Sequence, residues 1–167
     1  MQIQLKTAMA IKKDKQVGIT IENRKARHDY HIEETIEVGM ELKGSEVKSL
    51  RDGQASLSEG WVRASIAPLQ LVLHSVHIAE YQNAAPAQQH NPQRIRKLLA
   101  HKREIKKLES FTSSQGRTLI PLKIYFSNGK AKLLIGLATG KNKSDKRQDI
   151  AKKTAQREIN QAMRKKF

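Results

Sequence analysis

The sequence contains no cysteine, which excludes a disulfide framework and any thiolate metal site. Aromatic residues are scarce: one Trp, three Tyr and three Phe in 167 residues. That is too few for the broad base-stacking sheet of an RRM. No apolar run approaches the ~20 residues of a membrane span. The N-terminus, MQIQLKTAMAIKKDKQ, has no clean apolar h-region and no cleavage signal, so the expectation is a cytoplasmic protein. Catalytic signatures are missing too. None of the six histidines (His28, His31, His74, His77, His90, His101) stands in HExxH or a similar ligand spacing. His74 and His77 fall on opposite faces of a strand and are not a joint metal site. There is no GxSxG or Walker sequence; Gly136 and Gly140 are spaced like part of a phosphate loop, but the following GKN lacks its Lys-Ser or Lys-Thr end. Glu33 and Glu34 are adjacent, so in a strand they point apart and form no acid/base pair. Nothing here proposes an enzyme, a metal or a cofactor.

What is present is positive charge. Lys and Arg number 32 against 16 acids, a net charge of +16. The last 28 residues hold ten of those cations and three acids, yet the remainder is basic as well. This balance points to nucleic acid or an anionic surface. The length fits one domain with appendages: an arm over 1–16, a body over 17–139 and a tail over 140–167. The tail has helical composition from about Gln148 onward. Ala151, Ala155, Ile159 and Ala162 make a thin stripe, and Lys146, Lys153, Arg157 and Arg164 share another face. So little apolar area stabilises docking only weakly, and so short an isolated helix is marginal in water. The expectation is a tail that is disordered when free and becomes a helix against a polyanion.

Along the body, Val17–Asn23 has the β-branched alternation of an edge strand. A basic cluster, Asn23-Arg-Lys-Ala-Arg-His-Asp-Tyr30, leads into a strand whose Tyr30, Ile32, Ile36 and Val38 are expected on one face. Ser45 to Gly53 reads as a short helix with Ser45 as N-cap, Val47 and Leu50 inward and Gly53 as stop. A weak strand surrounds Trp61 and Val62. LQLVLHSVHIA, after Pro68, is apolar on both faces, as in a central strand. Residues 82–91 read as a polar loop. Asn91-Pro92 predicts the start of a helix running to about Phe111, with Arg96, Arg103 and Lys107 aligned on its solvent side. Leu119–Ser127, Asn128-Gly129 and Lys130–Leu137 carry the signature of a type I′ hairpin. Strands that are mostly antiparallel, with helices between, predict a mainly β protein: an OB-type barrel with short flanking helices. Basic segments at Arg24, Lys25 and Arg27, on the Arg96–Lys107 face and in the tail point to RNA binding through phosphate neutralisation.

Several blocks carry a resemblance. NRKARHDY, HIEETIEVGMELKGSEVKSLRDGQASL, HNPQRIRKLLAHKREIKKL, PLKIYFSNGKAKLLIGLATGK and SDKR resemble, in the same order over residues 23 to about 147, the SsrA-binding protein family, also called small protein B. The resemblance implies an OB-type barrel of a bacterial protein that binds the tRNA-like domain of transfer-messenger RNA. It implies delivery of that RNA, alanylated and with elongation factor Tu, to ribosomes stalled without a usable stop codon. The tail then enters the empty mRNA channel of the small subunit, beyond the decoding centre, as a helix. RNA contacts carried over are Glu37, Arg96, Lys97, Leu99 and Lys132, with Arg24, Lys25, Arg27 and His28 on the same basic surface. Glu37 is acidic there; its carboxylate accepts from base amino groups or ribose hydroxyls, or pairs with Lys132. The residues implied for the ribosome are Gly140, Lys141, Asp145, Lys146 and Arg147, then the helix to Phe167. Thr139 and Asn142 stand where the family commonly has basic residues. Ser144 stands where a bulky residue often precedes the DKR triplet, so no ring is available for stacking there. A general OB-fold RNA-binding or ribosome-associated protein is the alternative. No membrane partner is expected, and the chain is expected to be a monomer.

Overall fold

The computed structural model describes residues 18–165, apart from the side chains of Asp149, Lys152, Lys153, Ala162, Arg164 and Lys165. The expected arm over 1–16, Val17 and Phe167 therefore lie outside the described residues. In chain order the first elements are β1 (Ile21–Glu22), α1 (Ala26–Asp29), β2 (Tyr30–Met40), α2 (Gly44–Arg51), β3 (Ala55–Ser56), β4 (Trp61–Ile66) and β5 (Leu69–His74). There follow β6 (His77–Ile78), β7 (Arg96–Leu99), α3 (Lys102–Thr112), β8 (Arg117–Ser127), β9 (Lys130–Gly140) and α4 (Lys143–Lys165).

The expected hairpin is the organising piece. Asn128 (φ 50°) and Gly129 (φ 75°) both take the left-handed conformation that a two-residue I′ turn requires. They register β8 on β9 from Ser127–Lys130 to Arg117–Thr139. β2 runs antiparallel along the other edge of β9. The remaining pairings are β2–β7, β7–β5, β5–β4 and β4–β8. Six antiparallel strands thus return on themselves as a closed ring, and β1 adds to the outside edge of β8. The ring has one strand more than the five of an OB barrel. β3 and β6 make a separate two-stranded ladder.

Two bulges shape this ring. In β2 the register shifts between Ile32 and Glu34, and in β8 between Pro121 and Lys123. An extra residue in a period-two strand moves every later side chain to the other face. Tyr30, Ile32, Ile36 and Val38 therefore do not share a face. Val38, with Ile36 packed against it, joins Leu119, Ile124, Phe126, Leu133, Ile135 and Leu137 in the main core. Ile32 and Tyr30 pack instead on a second cluster of Ala26, Ile120, Leu122 and Ala138. Gly136 makes that second layer possible, because a Cβ there would stand 3.0 Å from Leu122 Cδ1 and 3.2 Å from Ile32.

α2 and α3 add Leu50, Ile105 and Leu108 to the main core. α2 stops at Gly53 (φ 74°), as expected. It is not capped by Ser45, whose hydroxyl donates to the Gln88 carbonyl at 3.2 Å and meets His90 Nδ1 at 2.9 Å. The Glu46 carboxylate caps it, accepting from the Lys43 N–H at 2.7 Å.

The helix expected from Asn91-Pro92 is absent. A turn leads into β7, and α3 starts only at Lys102. β5 and β2 present edges that β7 fills, and this pairing overrides a local helix signal. The central strand expected after Pro68 is likewise interrupted, at Ser75 (φ 55°), into β5 and β6. The tail is helical from Lys143, earlier than Gln148, because its first turn is anchored to the body.

Candidate nucleic-acid interface

Asn23 positions the basic cluster. Its buried side chain donates to the carbonyls of Leu57 and Pro121, both at 3.1 Å, and accepts from the Ala26 N–H at 3.1 Å. α1 is thereby pinned over the second apolar cluster, with Arg24, Lys25 and Arg27 left exposed. Arg24 and Arg27 line a groove of about 370 Å³ together with Lys123, Leu122 and Leu134. Lys25 turns the other way, into a groove lined by Trp61 and Thr118. His28 is half-buried, with Nδ1 3.1 Å from an Asp29 oxygen.

Beyond Lys123 the outer face of β8, β9 and β2 continues as an ordered row. The Lys123 ammonium lies 4.9 Å from the Tyr125 ring centroid. The Tyr125 hydroxyl donates to Glu37 Oε2. Lys132 Nζ stands 3.2 Å from Glu37 Oε1. Glu37 and Lys132 then line a second groove, of about 650 Å³, with Lys97, Leu99 and Lys102. Leu99 is 58% exposed, an apolar side chain set in water beside cations. Its Cβ lies 3.2 Å from where a Cβ on Gly39 would stand, so β7 approaches β2 as closely as a side chain allows. The structure therefore brings Glu37, Lys97, Leu99 and Lys132 to one groove. It joins them to Arg24 and Arg27 through Lys123 and Tyr125, two residues the sequence reading missed. A lysine and a tyrosine in a strand carry no special pattern; only the register Tyr125–Lys132 reveals the row.

Arg96 does not belong to this surface. Its side chain is 0% exposed, where the sequence reading placed it among the RNA contacts on a helix face. The guanidinium donates to Glu46 Oε1 at 2.8 Å and to the carbonyls of Val76, Arg94 and Pro92 at 2.6, 3.0 and 2.8 Å. Arg94 donates to both oxygens of the same carboxylate, at 2.9 and 2.6 Å. Burial alone would raise the Glu46 carboxyl. The hydrogen bonds from Arg94 and the Lys43 N–H, with the Arg96 charge, outweigh it and hold the group below its ordinary 4.5. Burial pushes Arg96 below the usual guanidinium range, against the Glu46 charge, and it remains a cation. Arg103 stays exposed on α3, and Lys107 pairs with Glu34 at 2.5 Å. The expected row Arg96–Arg103–Lys107 does not exist.

The root of the tail sits at the opposite end of β2. Gly140 pairs with Tyr30. The Lys141 N–H donates to the Asp29 carbonyl at 3.0 Å, and Lys141 Nζ donates to the Arg27 carbonyl at 2.8 Å. Asp145 accepts from the Asn142 N–H at 3.2 Å, closing the start of α4. Lys146 Nζ reaches Asp29 Oδ1 at 2.8 Å. The hydrogen bond from Lys146, then that from His28, holds the Asp29 carboxyl below 3.8. Arg147 and Arg157 are exposed. Lys153 and Arg164 lie on α4, but their side chains are outside the described residues.

Comparison with known proteins places the chain among relatives. A family model described as SmpB protein matches residues 20–165. The chain is 53% identical over 144 residues to an SsrA-binding protein of Thermobifida fusca (strain YX), covering 86% of this chain and 88% of that one. It is 46% identical over 159 residues to an SsrA-binding protein of Staphylococcus carnosus (strain TM300), covering 95% and 100%. A solved structure described as "tmRNA-SmpB: a journey to the center of the bacterial ribosome" contains a chain that superposes with a TM-score of 0.62 at 46% identity, over 74% of this chain and 85% of that one. The chain belongs to the SmpB family, the SsrA-binding proteins.

Proposed function

We propose that this protein is a non-catalytic RNA-binding adaptor of trans-translation, acting in the cytoplasm as a monomer. It binds the tRNA-like domain of transfer-messenger RNA with the outer face of β8, β9 and β2, and delivers it to stalled ribosomes. Elongation factor Tu joins indirectly, through the alanylated RNA. One observation carries the reading: Arg24, Arg27, Lys123, Lys132 and Lys97 line two grooves on this face, with the Glu37 carboxylate held by Lys132 and Tyr125 and with Leu99 exposed among them. Cations alone bind any polyanion; the carboxylate and the leucine add demands that only a particular RNA shape meets. α4 contacts the body at its root, and its described side chains beyond Lys146 are exposed. So thin a helix is completed against RNA, which suits a probe of the vacant mRNA channel. Gly140, Lys141, Asp145 and Lys146 set that root, and Arg147, Lys153, Arg157 and Arg164 supply the tail's positive charge for rRNA phosphates.

The test is affinity for the tRNA-like domain against bulk tRNA at ~150 mM salt. An adaptor prefers the former at least tenfold. Equal affinities sink the reading and leave a general RNA-binding or ribosome-associated protein. With about four cations not already paired to Glu37, the slope of log K against log salt is roughly −3 to −4.

A further inference from the structure

We infer that Tyr125 is a specificity-determining positioning residue, which acts by holding Glu37 as a ready hydrogen-bond acceptor for RNA. The inference rests on the reading that this face binds the tRNA-like domain.

The geometry is that of a clamp. Tyr125 is only 7% exposed. It is covered on its ring face by the Lys123 ammonium and directed along the sheet so that its hydroxyl meets Glu37 Oε2. Lys132, directly across from Tyr125 in the β8–β9 register, engages Oε1. Each oxygen is therefore taken once. An ionised carboxylate has about four acceptor sites, so two remain. The Glu37 side chain is 41% exposed, and the carboxylate opens on the groove of Lys97 and Leu99. An unrestrained surface glutamate samples several rotamers, and freezing one on binding costs affinity. Here the protein has frozen it in advance.

The direction of the effect follows from charge. A phosphate placed at Glu37 is repelled. A group that donates, an exocyclic base amino or a ribose hydroxyl, is accepted. A fixed acceptor between Arg24, Arg27 and Lys123 on one side and Lys97 on the other thus sets the register in which RNA lies on the cations. Without Tyr125 the cations remain, but the acceptor swings and the register is lost. Tyr125 therefore affects the choice of RNA more than its total electrostatic attraction.

The experiment is a double-mutant cycle on the full chain, with Tyr125→Phe, Glu37→Ala and both together, read by fluorescence anisotropy with the tRNA-like domain and with bulk tRNA. Tyr125→Phe weakens the tRNA-like domain about five- to tenfold, leaves bulk tRNA within about twofold, and leaves the salt slope unchanged because no phosphate contact is removed. In the Glu37→Ala background it adds nothing further. Losses that multiply in the double variant overturn the inference, as do equal losses for both RNAs. Thermal melts of both single variants check that neither has merely unfolded. A readout without RNA is the Tyr125 hydroxyl proton by NMR. It exchanges slowly in the wild-type protein and is lost to exchange in Glu37→Ala; rapid exchange in the wild type also overturns the clamp. If the wild-type protein fails to select the tRNA-like domain while that proton stays protected, the functional reading fails and the clamp stands. Interference mapping with 2′-deoxy analogues and with inosine for guanosine tells a ribose hydroxyl from a base amino donor, whichever effect disappears in Glu37→Ala.

Discussion

Replacing Glu46 by alanine tests the interior behind β7. The substitution strips the counter-charge from two guanidiniums at once. Arg94 is 25% exposed and turns to water. Arg96 is 0% exposed and keeps its hydrogen bonds to the Val76, Arg94 and Pro92 carbonyls, but its charge is left unpaired inside the protein. Breaking a buried ion pair from one side costs about 3–5 kcal/mol. Loss of the Glu46 cap on α2 adds about 1 kcal/mol. The sum, roughly 4–6 kcal/mol, is a large share of the 5–15 kcal/mol typical of a domain. It lowers Tm by about 12–18 °C at this size. Thermal and urea unfolding followed by far-ultraviolet circular dichroism measure it. The double variant Glu46→Leu/Arg96→Met, which leaves no buried charge, recovers most of the loss. The pH profile gives an independent reading. The Glu46 carboxyl is held below 4.5 in the folded state, so its contribution is complete above about pH 4.5 and disappears as pH falls through the folded value. Glu46→Gln flattens that part of the acid profile. A Glu46→Ala protein within about 1 kcal/mol of wild type, or a double variant no better than the single, would falsify the reasoning.

Three further outcomes are expected. Asp29→Asn frees the Lys146 ammonium and loosens the root of α4, so amides 143–147 exchange faster while affinity for the tRNA-like domain holds; unchanged exchange would mean the ion pair does not anchor the helix. In the wild type the same loosening sets in as pH falls below about 3.8, because the Asp29 carboxyl is depressed by its partners. Truncation after Asn142 leaves RNA affinity within about twofold yet abolishes peptide tagging on stalled ribosomes, and an isolated 140–167 peptide is mostly coil by circular dichroism; a tenfold loss of RNA affinity would place the tail on the transfer-messenger RNA instead. Leu99→Ala changes stability by less than about 0.5 kcal/mol, since the side chain is exposed, but weakens the tRNA-like domain several-fold; unaltered binding would remove Leu99 from the interface.

The readable parts of this fold are those that local chemistry decides. Asn128-Gly129 announces its hairpin because few other residues accept two successive left-handed conformations, and Gly53 ends α2 for the same reason. β7 was not readable. Ile95, Leu98 and Leu99 satisfy a helical period as well as a strand, and Asn91-Pro92 is an acceptable helix start; only the open edges of β5 and β2 decide. The bulges at β2 and β8 were equally hidden, because alternation in Tyr30–Val38 looks continuous until pairing with β9 shows the slip. At the interface, Glu37, Lys97, Leu99 and Lys132 came from family resemblance, and the structure gathers them in one groove. Arg96 shows the limit of such transfer. An arginine between basic neighbours looks like a phosphate ligand, and its burial depends on Glu46, fifty residues away. Tyr125 escaped notice for the converse reason: its partner is 88 residues distant.

The short passage from β9 into α4 has a mechanical consequence. Only Lys141 and Asn142 separate the barrel wall from a helix of 23 residues, and both ends of that passage are tied to Asp29 and Asp145. Twenty-three residues of helix extend about 34 Å. A floppy string tethered at the same point would reach any depth with some probability. A rod clamped at its base reaches one depth in one direction, so α4, as a helix, has a set reach. Lengthening α4 by one turn moves its tip about 5 Å, and a proline in its middle bends it away; either alteration changes that reach without touching the outer face of β8, β9 and β2.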